Sequence, residues 1–366
     1  MTTGPVLIMA GGTGGHVFPA LALAQLLREQ SYDVVWLGTR RGIEARVVPA
    51  ARIPIEWVDI GGLRGKGVAT LLAAPFRLLR ALWQCLGVMR RHRPLVVVGL
   101  GGFVTGPGGI AAWLARRPLV IHEQNAIAGF TNRQLARFAR AVLEAFPGSF
   151  GAGSCARDIG NPVRAGFFAQ PDPAQRFAGR SGPIRLLVVG GSLGAARLNA
   201  SVPAAAALLR GRLDLDIRHQ CGERGLDATR AAYATAGVAA DIVPFIEDVA
   251  TAYAAADLVI CRAGALTISE LAAVGVAAIL VPFPAAVDDH QTHNAQYLVD
   301  AQAALRIADR ELEPARLAAD IERLCADRAT LLGMAERART RSRPAATREL
   351  FEACLRAAGH AVPEVA

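Results

Sequence analysis

The residues of this chain best suited to chemistry stand directly behind short apolar runs. Gly11-Gly12-Thr13-Gly14-Gly15-His16 follows Val6–Ala10, and Gly190-Gly191-Ser192-Leu193-Gly194 follows Leu186–Val189. A glycine turn that opens a helix aims backbone N–H groups and the positive helix end at one point, which suits a phosphate or another anion. Neither turn fits the dinucleotide fingerprint G-x-G-x-x-G, because Val17 and Ala196 stand where its last glycine belongs. Two such turns in one chain point to a nucleotide donor held between two similar domains. His16 comes off the first helical turn, with Pro19 just inside the helix. A neutral imidazole there can take a proton from a hydroxyl nucleophile. Capping or packing against the helix start is the other use of a histidine at that position.

More polar clusters follow apolar runs in the same way. Gly99-Leu100-Gly101-Gly102-Phe103-Val104-Thr105-Gly106-Pro107 comes after Val96–Val98, and His122-Glu123-Gln124-Asn125 after Leu119–Ile121. Asn125 suits sugar hydroxyls or an amide, and the glycine cluster is explained equally by close backbone packing. Cys261-Arg262-Ala263-Gly264 turns into Ala265-Leu266-Thr267-Ile268-Ser269-Glu270, where Thr267 and Glu270 share a helical face. The helix start suits a diphosphate and the Glu270 carboxylate a ribose diol, although a glutamate in a first turn also serves as a cap. Asp288-Asp289-His290-Gln291-Thr292-His293-Asn294 places Gln291 and Asn294 where sugar hydroxyls can be held. Its Asp and His residues are metal-ligand types, but their spacing matches no metal-site template.

The elements that must position these residues alternate between strand and helix. Strands are predicted at Val6–Met9, Val34–Leu37, Val96–Val98, Leu119–His122 and Ala141–Leu143. A second set is predicted at Leu186–Val189, Ile217–Gln220, Asp241–Val243, Leu258–Ile260 and Ala278–Val281. Buried apolar strands with helical connections imply doubly wound parallel sheets, and ligands then bind at the strands' carboxyl ends. The length of 366 residues accommodates two cores. The Pro/Gly-rich stretch 161–183 reads as a hinge, which gives an N-terminal domain over 1–163 and a C-terminal domain over 164–340. A last segment, 341–366, is a helix that can return to the N-terminal domain.

Six scattered cysteines without a C-x-x-C pair argue for reduced thiols over a disulfide framework or zinc. No secretory signal is expected, since the first apolar run is five residues long and ends in glycines, and no apolar run approaches the ~20 residues that span a bilayer. The net charge of +9 is uneven: residues 1–165 hold 18 Arg and one Lys against 8 acids, +11, and the remainder carries −2. The N-terminal half therefore faces something anionic.

Taken together, the motifs resemble the GT-B glycosyltransferases, and within them family 28. The resemblance rests on Gly11–His16 with Pro19-Ala20, Gly101-Gly102-Phe103 with Gly106-Pro107, His122–Asn125, Gly160-Asn161-Pro162-Val163-Arg164, Gly190–Ala195, Ala265–Thr267 with Ser269-Glu270, and Gln291 with Asn294-Ala295. These occur in family order across residues 11–295. The resemblance implies two Rossmann-like domains facing a cleft. It also implies inverting transfer of GlcNAc from UDP-GlcNAc to the 4-hydroxyl of MurNAc in lipid I, which gives lipid II for peptidoglycan. By position, Thr13, Gly14 and Gly15 line the cleft, Asn125 lies near both substrates, and Arg164 and Ser192 serve the diphosphate. Ile246 meets uracil through its backbone, Ala265 through Glu270 (Leu266, Thr267, Ile268 and Ser269 between them) hold phosphate and ribose, and Gln291 reads the GlcNAc hydroxyls. Ala263 stands where the family usually has Ser, and His290 replaces the first of two glutamines.

His16 is then the candidate catalytic base, with Glu123 as its rival, and no metal or other cofactor is called for. The expected partners are UDP-GlcNAc, lipid I, an anionic membrane surface and other cell-wall synthesis proteins, with no nucleic acid. The expected place is the cytoplasmic face of the inner membrane, held peripherally. Leu71-Leu72, Pro75-Phe76, Leu78-Leu79, Leu82-Trp83 and Leu86, set among Arg64, Lys66, Arg77, Arg80 and Arg90-Arg91, read as an apolar patch rimmed by base. An amphipathic helix facing a protein core is the other reading of that segment. The alternatives in the same fold are a diacylglycerol glycosyltransferase or a UDP-GlcNAc 2-epimerase, and outside it a non-catalytic nucleotide-binding module.

Overall fold

The computed structural model describes residues 4–61, 74–191 and 195–362. The chain divides into two compact units, the first made of Met1–Arg164 with Pro344–Ala366 and the second of Ala165–Arg343. Unit 1 holds a seven-stranded sheet in the order β3-β2-β1-β4-β5-β6-β7, and unit 2 a six-stranded sheet in the order β10-β9-β8-β11-β12-β13. Every strand pair is parallel.

In unit 1 the strands are β1 (Val6–Ala10), β2 (Val34–Gly38), β3 (Ile55–Trp57), β4 (Val96–Gly101), β5 (Leu119–Glu123), β6 (Ala141–Glu144) and β7 (Arg157–Asp158). All of β1 is buried, as a strand covered on both faces must be. Val6, Ile8 and Ala10 join one core with Leu23, Leu27, Leu350 and Phe351. Leu7 and Met9 join the opposite core with Ala81, Cys85 and Ala111. Phe351 and its neighbours belong to the helix Ala346–Ala357, so that helix forms part of the unit 1 core. Between Met9 and Ala10 the β1–β4 register slips, pairing Ala10 with Gly101.

In unit 2 the strands are β8 (Ile184–Val189), β9 (Leu215–Gln220), β10 (Asp241–Val243), β11 (Leu258–Cys261), β12 (Ala277–Leu280) and β13 (Ala304–Arg306). The three strands absent from the sequence prediction, β3, β7 and β13, are two or three residues long and lie at or beside sheet edges. In both units the order in which strands are added reverses beside the first strand, between β1 and β4 and between β8 and β11. That switch point is where an open α/β sheet leaves a crevice at its carboxyl edge.

A buried histidine sets a pH limit on unit 2. His219 on β9 is fully buried, with Nε2 3.1 Å from Asn199 Oδ1 and Nδ1 3.0 Å from the Tyr233 hydroxyl. An amide oxygen only accepts, so Nε2–H donates to Asn199 and Nδ1 receives the tyrosine proton. Burial pushes the His219 pKa down from the ordinary 6.5 to about 4. The unfolded chain therefore binds a proton between those values that the folded one refuses, and stability falls as pH drops through that window. Between pH 7 and 5 the loss expected from this residue is about 2 kcal/mol. Urea unfolding at the two pH values should show a shallower pH dependence for His219→Gln than for the wild type.

Candidate active site

The site elements lie in two halves, one at the carboxyl edge of each sheet. In unit 1 the turn after β1 carries Gly12 at φ +93°, a conformation open to glycine, and Thr13 then precedes the helix Gly14–Glu29. The Gly12 N–H donates to Glu44 Oε2 at 2.9 Å. Glu44 is fully buried, and its other oxygen accepts from Thr39 N at 3.1 Å and Thr39 Oγ1 at 2.7 Å. The turn thus closes over a carboxylate. Gly11 and Gly42 make room for it, since a Cβ on either would come within 2.6 Å of Glu44. A negative charge under this turn disfavours a phosphate there, so the first glycine turn works as a rigid shelf for Thr13 and His16.

His16 is half-buried, and its Nδ1 lies 2.7 Å from Gln124 Oε1 at the end of β5. Its ring lies against Gly101, where a Cβ would stand 2.5 Å from Nδ1. Gly101 and Gly102 adopt φ +113° and +87°, and a Cβ on Gly102 would meet Gly11 O at 2.4 Å. The third glycine cluster therefore has a steric purpose: it brings β4 against the first turn and leaves space for the imidazole. His122, fully buried, sits behind Gln124. Burial, only partly offset by the Gly160 carbonyl and the Glu123 charge, lowers its pKa to about 4 and keeps it neutral.

Glu123 is 2% exposed and occupied on both oxygens. Oε1 accepts from Asn125 N at 3.0 Å and Asn125 Nδ2 at 3.1 Å, and Oε2 from Gly129 N at 3.1 Å and Asn132 Nδ2 at 2.8 Å. Four donors on a buried carboxylate make it an anchor that orients Asn125. Arg164, exposed at the end of unit 1, stacks its guanidinium 5.5 Å from the Phe18 ring.

Unit 2 repeats the plan with a neutral closure. Gly191, at φ +81°, donates its N–H to Gln220 Oε1 at 3.0 Å. Gln220 Nε2 donates to Gly191 O at 3.1 Å and Pro244 O at 2.9 Å, which ties the turn to the segment carrying Ile246. Ile246 itself is 6% exposed, and Phe245 beside it is 61% exposed. Ser192 lies outside the described residues. After β11, Gly264 begins the helix Ala265–Val274 without a side-chain cap. Leu266, Thr267, Ser269 and Glu270 are half-buried on that helix, whereas the Ile268 side chain is fully buried. The Ile268 N–H donates to the Gly264 carbonyl at 3.0 Å, so this residue supports the helix start from inside.

Gln291 Oε1 accepts from Ala263 N at 3.2 Å and Phe283 N at 2.9 Å, joining the loops after β11 and β12. That use leaves its NH₂ end to donate to a sugar. Asn294, expected at sugar hydroxyls, is fully buried and donates Nδ2 to Ala263 O at 3.2 Å, so it supports the loop from behind. Arg262 links the same region, donating to Val281 O and Pro282 O at 3.2 Å and to Asp309 Oδ1 at 2.6 Å. Among the described residues no group of three or more His, Cys, Asp or Glu gathers to hold a metal ion. Sequence reading missed Glu44 and Gln220, which bear no motif of their own. Gly42, two residues before Glu44, was the one local sign of close packing there.

Two Rossmann-like units with paired glycine turns at their switch points define a GT-B glycosyltransferase fold. The family model for the glycosyltransferase family 28 N-terminal domain matches residues 6–144, and that for its C-terminal domain matches 185–350, so the chain belongs to glycosyltransferase family 28. It is 59% identical over 353 residues to the Alkalilimnicola ehrlichii protein named UDP-N-acetylglucosamine–N-acetylmuramyl-(pentapeptide) pyrophosphoryl-undecaprenol N-acetylglucosamine transferase, covering 96% of this chain and 99% of that protein. It is 57% identical to the Marinobacter nauticus protein of the same name, covering 96% and 97%. The crystal structure of Acinetobacter baumannii MurG aligns with TM-score 0.84 at 44% identity, covering 96% of this chain and 99% of that one.

The packing of Gly101 against His16 generates a direct test. Gly101→Ala places a methyl on the imidazole and strains a backbone at φ +113°, at a cost of about 1–3 kcal/mol. The variant should remain folded by circular dichroism and lose at least about tenfold in transferase turnover if the His16 imidazole, displaced from its hydrogen bond to Gln124, takes part in the reaction.

Proposed function

We propose that this chain transfers GlcNAc with inversion from UDP-GlcNAc to the 4-hydroxyl of MurNAc in lipid I, forming lipid II. The observation that carries this reading is identity of 57–59% over 96% of the chain to transferases of that name, with His16 held by Gln124 on the shelf after β1. In the transfer, His16 takes the proton of the acceptor hydroxyl as its oxygen attacks C1 of GlcNAc, and the C1–O bond breaks with its electron pair leaving on UDP. His16 serves better than Glu123, whose oxygens already hold four donors. In unit 2 the positive end of the helix that starts at Ala265 and the turn closed by neutral Gln220 suit the diphosphate. Glu270 suits the ribose, the segment at Ile246 the uracil, and the Gln291 amide nitrogen the sugar. Arg164 supplies a cation of the sign a diphosphate needs, and Thr13 and Asn125 flank the acceptor.

We further propose peripheral attachment to the cytoplasmic face of an anionic inner membrane. Among the described residues no helix is long and apolar enough to cross a membrane. The helix Ala74–His92 buries Ala81, Cys85, Val88 and Met89 and exposes Phe76 at 76%, Leu79 at 55% and Trp83 at 68%. Arg77, Arg80, Arg90 and Arg91 are exposed on the same helix. The neighbouring helix Thr105–Leu114 adds exposed Ile110, Trp113 and Leu114, with the Trp113 ring 5.2 Å from that of Phe138. Large apolar side chains left in water beside arginines suit a bilayer of anionic lipid. Leu71, Leu72, Arg64 and Lys66, the remainder of the patch read from sequence, lie outside the described residues.

Purified protein, a short-chain lipid I analogue and EDTA should yield one added N-acetylhexosamine from UDP-GlcNAc and none from UDP-Glc or UDP-GalNAc, read by mass spectrometry. Conversion of UDP-GlcNAc to its 2-epimer without transfer would overturn the reading. His16→Ala should lower kcat by about 10²–10⁴-fold with the UDP-GlcNAc KM little changed. For the patch, Leu79→Ser with Trp83→Ser should weaken sedimentation with anionic vesicles by about tenfold or more while turnover on a soluble acceptor persists. Unchanged vesicle binding by the folded variant would remove the membrane role from this helix.

A further inference from the structure

We infer that a neutral hydrogen-bond chain from the Gly160 carbonyl through His122 and Gln124 holds His16 in one tautomer, with Nδ1 protonated and Nε2 bare. Gln124 and His122 are then positioning residues for the transfer. This rests on the reading of His16 as the base and adds what prepares it.

The polarity of the chain follows from its buried end. His122 Nε2 lies 2.9 Å from Gly160 O, and a carbonyl oxygen can only accept, so Nε2 carries the proton. His122 is neutral, so its Nδ1 has a lone pair and needs a donor. Gln124 Nε2 meets that need at 3.0 Å, and the same NH₂ group donates to the His122 carbonyl at 3.0 Å. Two acceptors thus fix which end of the Gln124 amide faces His122. The opposite end, Oε1, faces His16 Nδ1 at 2.7 Å and can only accept, so His16 Nδ1 must be N–H. Each group is set by the one before it, and none is left to solvent: His122 is fully buried and Gln124 is 1% exposed. The Gln124 backbone is held as well, its carbonyl accepting from Asn161 Nδ2 at 3.2 Å.

The consequence is chemical. A histidine in water prefers the Nε2–H tautomer, in which the outer nitrogen has no lone pair to offer. The chain reverses that preference. Among the described residues His16 Nε2 has no hydrogen-bond partner, so its lone pair stands ready for the acceptor hydroxyl. The proton passes from that hydroxyl to Nε2 while Nδ1–H stays on Gln124, leaving an imidazolium until it is returned to water. A carboxylate in the place of Gln124 would orient the ring and also attract the proton. An amide orients it without a charge, which suits a site next to the Glu44 and Glu123 carboxylates.

The test is a long-range ¹H–¹⁵N spectrum of the full-length protein, with the His16 signals assigned by their loss in His16→Ala. Wild type should show a protonated Nδ1 and a pyridine-like Nε2. Gln124→Met should shift His16 toward Nε2–H and lower kcat by about 10²-fold, with the UDP-GlcNAc KM unchanged within about twofold. His122→Leu should act alike by releasing the Gln124 amide. His122→Asn, whose amide again offers one donor and one acceptor, should recover most of what His122→Leu loses. A wild-type spectrum with bare Nδ1, or a folded Gln124→Met that loses kcat with the tautomer unchanged, overturns the chain. Near wild-type kcat in His16→Ala overturns the base assignment instead, whatever the spectrum reads.

Discussion

A backbone N–H at a positive-φ glycine has to find a partner, and the partner chosen at each turn decides what that turn can bind. The two sheets share a topology, and each first strand runs into such a glycine at its carboxyl end. In unit 1 the partner is the Glu44 carboxylate, and in unit 2 it is the Gln220 amide. One turn therefore carries a buried negative charge and the other carries none. An anionic diphosphate is compatible with the second and repelled by the first. The fold is repeated, but this single exchange of acid for amide makes the unit 2 turn the more compatible with an anion, in keeping with the proposed roles of the two turns.

The same economy governs the side chains around the turns. Glutamines do most of the joining: Gln220 and Gln291 each connect two loops of unit 2, and Gln124 connects His122 to His16. An amide offers a donor and an acceptor on one planar group, so it can satisfy two strand-end segments without placing a charge beside the ligand. Charged residues are used as fixed anchors, as with Glu123 under Asn125 and Asp309 under Arg262. The glycines at 101 and 102 complete the arrangement by allowing β4 to approach the imidazole more closely than any side chain would permit.

The exposed apolar face on the helix Ala74–His92 belongs to a different physical problem. A helix with Ala81, Cys85, Val88 and Met89 inward has already met its packing requirement, and Phe76, Leu79 and Trp83 are surplus to it. Under the proposed membrane attachment, their cost in water would be offset at a bilayer, and the arginine excess of the N-terminal half would supply the long-range attraction.

Much of this was readable before folding. Buried parallel strands are long apolar runs, so β1, β4, β5, β8 and β11 declared themselves, and with them the alternation that defines the fold and the glycine turns at the carboxyl edge. His16, the helix start at Ala265 and the cluster His122–Asn125 were legible because each lies within a few residues of such a run. The short strands β3, β7 and β13 were not, since two or three residues carry no period, although the equally short edge strand β10 was read correctly. Nor could sequence tell contact from support: Asn294 and Glu123 carry the right chemistry for a site, yet tertiary packing turns them inward against backbone N–H and C=O groups. Glu44 and Gln220 reach their glycines across 32 and 29 residues of chain, and Gln124 reaches His16 across 108. The sequence by itself determined which strands form and which chemical groups stand at their ends, because those follow from local hydrophobicity and turn chemistry. Only the tertiary structure decided which group holds which proton, because a hydrogen bond depends on distances that the order of residues does not contain.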